Sequence, residues 1–175
     1  LGKIDEAIAL LEAERRRAAV TRSDLAEGAG EAVELFEPLA EERRVRLTAS
    51  GGPLWIEGDR DLCMEAVSNL LDNAIKFTPE GGQVAVSIGR QAGSVSLEVT
   101  DTGIGIAPEE RGAVLSRFYR SDKSRHVPGS GLGLSLVSAI AHLHDATVQI
   151  DAGPDGCGTC FSVIFVLQHG LRPPD

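Results

Sequence analysis

The hydrophobic pattern of this chain changes period between residues 60 and 100, and no other feature restricts the fold as much. From 60 to 77, Cys63, Val67, Leu70, Leu71 and Ala74 recur three or four apart, as one face of a helix does. From Gln83 to Ile88, and again from Ser94 to Thr100, apolar and polar residues alternate, as on a half-buried strand. Gln91-Ala92-Gly93 lies between the two runs and reads as a hairpin connection. A striped helix and a one-faced hairpin each have an apolar surface to bury, and the economical solution is to stack them.

The flanking segments extend this plan. Leu1, Ile4, Ile8 and Leu11 give residues 1–20 a heptad-like seam, which suits either the tail of a dimerising helix or an ordinary amphipathic one. A second helix is predicted over 25–42, capped by Ser23 or Asp24, with Ala32, Leu35, Phe36 and Leu39 inward. Arg44–Ala49 and Leu54–Glu57 read as short strands around Gly51-Gly52-Pro53, and Asp59 as the N-cap of the helix at 60–77. A last helix over Leu132–His144 precedes two strands, Thr147–Ile150 and Thr159–Leu167. The expected fold class is a two-layer α/β (α+β) sandwich, a mixed sheet with helices on one face. Between Asp101 and Ser130 periodicity fails, apart from a helical turn near Pro108–Val114. A stretch of about thirty such residues is usually a functional lid or disordered.

A length of 175 residues suits one domain with a real core. The net charge of −9 opposes a nucleic-acid partner and docking on an anionic membrane, because both present phosphate. No apolar run is long enough to span a bilayer and no signal peptide is visible. The chain begins with Leu1 rather than Met, so a fragment of something longer is expected. Of three cysteines, Cys157 and Cys160 form a C-x-x-C without a second ligand pair, so a turn outweighs a metal or redox site. The odd count favours a reducing compartment.

Four segments carry residue types that chemistry would need. On the helix at 60–77, Glu65, Asn69, Asn73 and Lys76 fall on one stripe beside the apolar face. Asn is a poor choice for helix stability, but its carbonyl suits Mg²⁺ and its amide can donate to phosphate; solvated side chains are the ordinary alternative. Asp101-Thr102-Gly103-Ile104-Gly105-Ile106 follows a strand, and its carboxylate would suit the amine of adenine, though Asp and Gly also make plain turns. Gly129-Ser130-Gly131-Leu132-Gly133-Leu134 opens a helix, where exposed N–H groups and the helix dipole favour an anion; a hinge is the alternative. Its spacing is neither the P-loop nor the dinucleotide fingerprint. Arg117, Arg120, Lys123 and Arg125 make a basic cluster foreign to an acidic chain, able to neutralise phosphate charge or simply to face solvent.

In order, N-L-L-D-N-A-I-K-F-T-P-E-G-G, D-T-G-I-G-I, R-F-Y-R and G-S-G-L-G-L resemble the nucleotide-binding boxes of sensor histidine kinases. Their superfamily includes DNA gyrase, the heat-shock chaperone ATPases and the MutL repair proteins. The resemblance covers roughly residues 23–167. It implies the Bergerat fold, with ATP and Mg²⁺ held between helices under a mobile lid. Carried over by position, Asn73 is expected to hold Mg²⁺, with Asn69 and Lys76 on the phosphates. Asp101 is expected on the adenine amine, in a pocket shaped by Gly103, Gly105 and Ile106 and walled by Phe77. Gly129, Ser130, Gly131, Leu132, Gly133 and Leu134 are expected along the triphosphate. Arg120 or Lys123 is expected to reach the γ-phosphate, and Thr159 stands where the family often has a pocket threonine.

In the hydrolysing relatives the position four before the Mg²⁺-binding Asn is a Glu that activates water. Here it is Asn69, whose amide is no base, which favours kinase over ATPase. A hydrolase of the superfamily and an anti-sigma-type serine kinase remain as alternatives. None of His126, His142, His144 and His169 fits the family's acceptor motif, so the acceptor is expected on helices outside this chain. The implied organisation is a hairpin remnant at 1–20, the ATP-binding domain at 21–168 and a tail at 169–175. The implied partners are the dimerisation and phosphotransfer helices of its own kinase and a response regulator. The isolated chain is expected to be monomeric and cytoplasmic, its parent homodimeric and anchored at the inner membrane.

Overall fold

The computed structural model describes Ile8, Leu11 and residues 21–116 and 133–167. Strand β1 (Arg22–Asp24) leads into helix α1 (Leu25–Glu42), followed by β2 (Arg46–Ser50), β3 (Trp55–Glu57) and helix α2 (Arg60–Phe77). The hairpin β4 (Gln83–Gln91) and β5 (Ser94–Asp101) comes next. Helix α3 (Gly133–Leu143) and strands β6 (Ala146–Ala152) and β7 (Thr159–Val166) complete the described chain. Five strands form one sheet in the order β2-β4-β5-β7-β6, with β2 parallel to β4 and the other pairs antiparallel. β1 and β3 pair as a separate two-stranded sheet.

The alternation predicted from sequence decides which face of the sheet meets the helices. Val84, Val86 and Ile88 on β4, Val95, Leu97 and Val99 on β5, and Phe161, Val163 and Phe165 on β7 are all buried. The register places Val86 beside Val99 and Leu97 beside Val163, so these side chains make one continuous apolar surface. Helix α2 covers it with Leu62, Cys63, Ala66, Val67, Leu70, Leu71, Ala74 and Ile75. All five residues predicted on that helix's inner face are buried, and Leu71 is fully inaccessible. Both long helices start where a carboxylate can cap them: Asp24 accepts from Ala26 N–H and Asp59 from Leu62 N–H, each at 3.0 Å.

Two local expectations differ. Leu35, predicted inward, is 64% exposed, because α1 buries Leu25, Ala29, Ala32, Val33 and Ala40 and turns Leu35 away. Arg44 was expected in a strand, but it has φ 53°, the left-handed conformation of a chain leaving a helix, and β2 begins only at Arg46. The helical turn expected near Pro108–Val114 is present, as a 3₁₀ turn over Pro108–Glu110 followed by hydrogen-bonded turns. No described helix is long and apolar enough to cross a membrane.

Candidate nucleotide-binding site

Strand β5 alternates inward with Val95, Leu97, Val99 and then Asp101, so strand parity alone drives a carboxylate into the apolar layer. Asp101 is 4% exposed. Its Oδ1 accepts the N–H of Gly103 at 2.9 Å and the N–H of Thr159 at 3.2 Å. Burial holds this carboxyl above the ordinary aspartate value, and the two N–H groups offset only part of that cost. Oδ2 accepts from no described residue. A largely buried carboxylate with one oxygen left to accept from a ligand is the kind of group that clusters at binding sites.

The surroundings of Asp101 are main chain. A Cβ on Gly103 would lie 2.3 Å from the Phe77 carbonyl, which accepts the Ile104 N–H at 3.2 Å. The loop after β5 is thereby fastened to the end of α2. A Cβ on Gly158, whose φ is +73°, would lie 1.9 Å from the Asp101 carbonyl, and one on Gly153 2.6 Å from that same oxygen. Gly105, at φ +72°, approaches the Gly158 carbonyl. Only glycine tolerates these approaches, so two distant loops meet backbone to backbone around the carboxylate. Ile106 packs partly buried against the core, and Thr159 is 4% exposed.

On α2, Asn69, Asn73 and Lys76 are all half-buried beside the packed face. Asn69 Nδ2 donates to the Glu65 carbonyl at 2.9 Å, which leaves its Oδ1 pointing away from its own helix ladder. That oxygen lies where a Cβ on Gly133 would approach to 3.1 Å, so the first turn of α3 rests on Asn69. The Asn73 carboxamide hydrogen-bonds to no described residue. Lys76 does not stand free: its Nζ donates to Asp72 Oδ2 at 2.7 Å, one turn back on the same helix. Leu134 follows Gly133 and packs partly buried against the core.

The structure thus brings together Asn69 with Gly133, and Asp101 with Gly103, Thr159 and, through main chain, Phe77 and Gly105. Arg120, Lys123, Gly129, Ser130, Gly131 and Leu132 lie outside the described residues, as do Arg117, Arg125, His126 and His169. Sequence reasoning missed Gly153 and Gly158, whose only signal was a Gly-rich turn before an alternating strand. It also missed Thr78, which is buried and donates to the Ala74 carbonyl at 2.7 Å, closing α2 beneath the Gly103 loop. The C-x-x-C frames that Gly158 turn: Cys157 is exposed, and Cys160 Sγ accepts from Thr100 Oγ1 at 3.6 Å.

A buried carboxylate walled by glycine backbone, next to a helix bearing two asparagines, matches one known family. The profile described as "Histidine kinase-, DNA gyrase B-, and HSP90-like ATPase" aligns with residues 58–169. The chain belongs to this family. Within it the kinase branch stands out. The chain is 43% identical over 112 residues to the sensor-like histidine kinase SenX3 of Mycobacterium tuberculosis, covering 63% of this chain and 27% of SenX3. It is 41% identical over 147 residues to the probable sensor protein PcoS of Escherichia coli, covering 83% of this chain and 31% of PcoS. The chain therefore spans about a third or less of the length of these relatives. Among solved structures, the mycobacterial sensor histidine kinase MprB superposes with a TM-score of 0.75 at 31% identity, over 85% of this chain and 97% of that one. Full-length ShkA in complex with AMPPNP superposes with a TM-score of 0.72 at 28% identity, over 88% of this chain and 33% of that one. The protein is a histidine-kinase-type ATPase domain of a sensor kinase, with the mixed, mostly antiparallel sheet and helical layer of solved catalytic domains.

Proposed function

We propose that this domain, spanning 21–168, binds Mg·ATP and donates the γ-phosphoryl group to a histidine on a helical hairpin outside this chain. The observation that carries the reading is Asp101: a buried carboxylate whose Oδ1 is fixed by two N–H groups while Oδ2 accepts from no described residue. That arrangement suits a flat ligand with an amine at its edge, as adenine has. At Gly103, Gly105 and Gly158 main chain closes directly on main chain, which gives the carboxylate a rigid frame. ShkA, similar over most of this chain, was solved with AMPPNP, which supports the same ligand class here.

The proposed roles rest on the sequence motifs and, for the described residues, on their surroundings. Asp101 Oδ2 accepts from the adenine amine and the N–H groups of Gly103 and Thr159 keep the carboxylate aimed. Gly105, Ile106 and Phe77 bound the base. Asn73 offers a carboxamide oxygen without a described partner, the neutral ligand that suits Mg²⁺. When bound, Mg²⁺ neutralises phosphate charge during transfer. Asn69 and Lys76 face the phosphates, with Lys76 exchanging Asp72 for a phosphate oxygen. Gly129, Ser130, Gly131, Leu132, Gly133 and Leu134 line the triphosphate, and Arg120 or Lys123 reaches its end. In the transfer the bond from Pγ to the bridging oxygen breaks, a bond from phosphorus to an imidazole nitrogen forms, and ADP leaves.

Asn69 supports transfer over hydrolysis, because its amide is no base and is engaged with the Glu65 carbonyl. His142 is exposed at the end of α3 and His144 is half-buried in structural bonds, so neither is offered as the acceptor. The partner helices, the response regulator and a membrane-anchored homodimeric parent with this domain in the cytoplasm belong to the same proposal. The decisive experiment mixes this chain with Mg·[γ-³²P]ATP and a separately prepared hairpin. Acid-labile phosphate on the hairpin's histidine is expected; steady phosphate release without the hairpin would point to a hydrolase instead. Calorimetry adds a residue-level check: Asn73→Ala is expected to remove the Mg²⁺ dependence of binding, and unchanged affinity with and without Mg²⁺ would count against the assignment.

A further inference from the structure

Helices α2 and α3 run antiparallel and pack through buried side chains, among them Val67, Leu70, Val137 and Ile140, and two further contacts flank that packing. At one, Gly133 rests on Asn69 Oδ1. At the other, His144, just beyond α3, meets Asp59, the cap of α2. The Asp59 N–H donates to His144 Nε2 at 3.0 Å, and His144 Nδ1–H donates to the Ile140 carbonyl at 2.8 Å. The two contacts are separated by residues 59 to 69 along α2 and 133 to 144 along α3, about 15 Å of helix in each case. Equal lengths between the two contacts mean that an axial slip at His144 reappears at Gly133, since packed helices transmit shifts rather than absorb them.

Three further groups meet the half-buried ring. Its edge meets Phe165, with centroids 6.3 Å apart and planes at 81°. Cys63 Sγ lies 3.8 Å from Nε2, and a Cβ on Gly58 would come within 2.4 Å of Cδ2. Gly58 also anchors the first strand: its N–H donates to the Thr21 carbonyl, and Thr21 Oγ1 and Ser23 Oγ both donate to its carbonyl. An imidazole that accepts at Nε2 and donates at Nδ1 is neutral, with its proton on Nδ1.

We propose that His144 is a positioning residue for the nucleotide site: by joining Gly58-Asp59 to the end of α3, it fixes how far Gly133 advances over Asn69. The effect on ATP rests on the nucleotide reading above, whereas the geometric link does not. His144 touches no reacting atom, and acts only through the register of α3.

The test uses the full 175-residue chain. In the wild type, long-range ¹H–¹⁵N correlation of the imidazole is expected to show the neutral Nδ1–H form at pH 8; an Nε2–H form would overturn the proposal. His144→Phe keeps a ring beside Phe165 and loses both hydrogen bonds. In nucleotide-free protein it is expected to shift the amide signals of Asn69 and Gly133, and to weaken Mg·ATP binding about five- to tenfold, the worth of one net hydrogen bond. His144→Gln carries an acceptor near the Nε2 position and is expected to restore both readouts. Gly58→Ala, which presses on the ring, is expected to reproduce the His144→Phe shifts even if that variant fails to fold. Unmoved Asn69 and Gly133 signals in a folded His144→Phe or Gly58→Ala protein would overturn the link, as would failure of His144→Gln to restore them. Absent ATP binding by wild type would instead overturn the nucleotide reading and leave the amide measurements standing.

Discussion

The Asp101 carboxylate accepts the backbone N–H of Thr159 at 3.2 Å, across 58 positions of sequence. That single bond joins the end of β5 to the start of β7, where the register already pairs the two residues. It holds the acid in one orientation and explains why an inward-facing carboxylate survives at the edge of an apolar layer. Four measurable consequences come from this and neighbouring contacts.

Acid is expected to act on Asp101 in two opposite ways. Burial raises its folded-state pKa above the unfolded value, so in the window between them the folded chain holds more protons than the unfolded one. The Asp101 contribution to stability is therefore greatest below the unfolded pKa and falls as pH rises through the folded pKa. ATP affinity runs the other way, since only the ionised form offers Oδ2 as an acceptor. Calorimetric titration is expected to show affinity falling with decreasing pH at a midpoint above the ordinary aspartate value. Asp101→Asn removes that dependence and lowers affinity at least about tenfold, one hydrogen bond to a charged group.

Two glycines with nearly the same positive φ are expected to respond differently to alanine. Gly93 has φ +78° with nothing within 4 Å of an added Cβ, so Gly93→Ala costs only conformational strain, about 1–2 kcal/mol. Gly158 has φ +73° with the Asp101 carbonyl 1.9 Å from the added atom. Gly158→Ala is expected to cost at least about 3 kcal/mol in urea denaturation, and to weaken ATP binding by displacing Thr159. Equal costs would mean that the Gly158 turn yields freely.

Releasing Lys76 from Asp72 is expected to strengthen nucleotide binding. The pair is an i,i+4 contact with both side chains partly exposed, 29% for Lys76 and 40% for Asp72. After screening by solvent it is worth no more than about 0.5 kcal/mol. Asp72→Asn is therefore expected to leave the melting midpoint nearly unchanged while ATP affinity rises about two- to threefold at low salt, with the gain shrinking as salt is added. A loss of affinity would show that Asp72 serves the ligand rather than competing for Lys76.

Thiol reactivity is expected to separate the cysteines. Cys63 lies in the core, where burial first and the Asp59 carboxylate second push its thiol up to about 12. The thiolate is the nucleophile, so Cys63 is inert near pH 8. Cys157 is exposed. Iodoacetamide followed by peptide mass mapping is expected to label Cys157 in the native chain and Cys63 only after denaturation. Native labelling of Cys63 would mean that the core opens readily.

What the sequence made legible were the local rules. Helices α1 and α2 run over 25–42 and 60–77 as predicted, because Asp24 and Asp59 cap them and apolar spacing marks their inner faces. Asp101 was found from its glycines, and strand parity through Val95, Leu97 and Val99 explains its burial. Leu35 misled because apolar spacing counts residues without knowing how far the covering surface extends. The approach of Gly153 and Gly158 to Asp101 was illegible because it joins segments far apart in sequence, and no local pattern encodes such a meeting. The sequence left His144 between a structural and a solvated role, and its bonds to Asp59 and Ile140 make it structural; its link toward Asn69 emerges only when both ends of α3 are seen together.

The glycine backbone around Asp101 has a consequence for resistance. A competitive inhibitor that hydrogen-bonds to Asp101 and lies against Gly103, Gly105 and Gly158 would touch mostly peptide groups, which no codon change can alter. At these glycines any replacement adds a Cβ that collides with main chain or strains a left-handed turn. Single-base escape from such a compound is then confined largely to Asp101 itself, where the exchange that weakens the inhibitor also weakens the ligand it displaces.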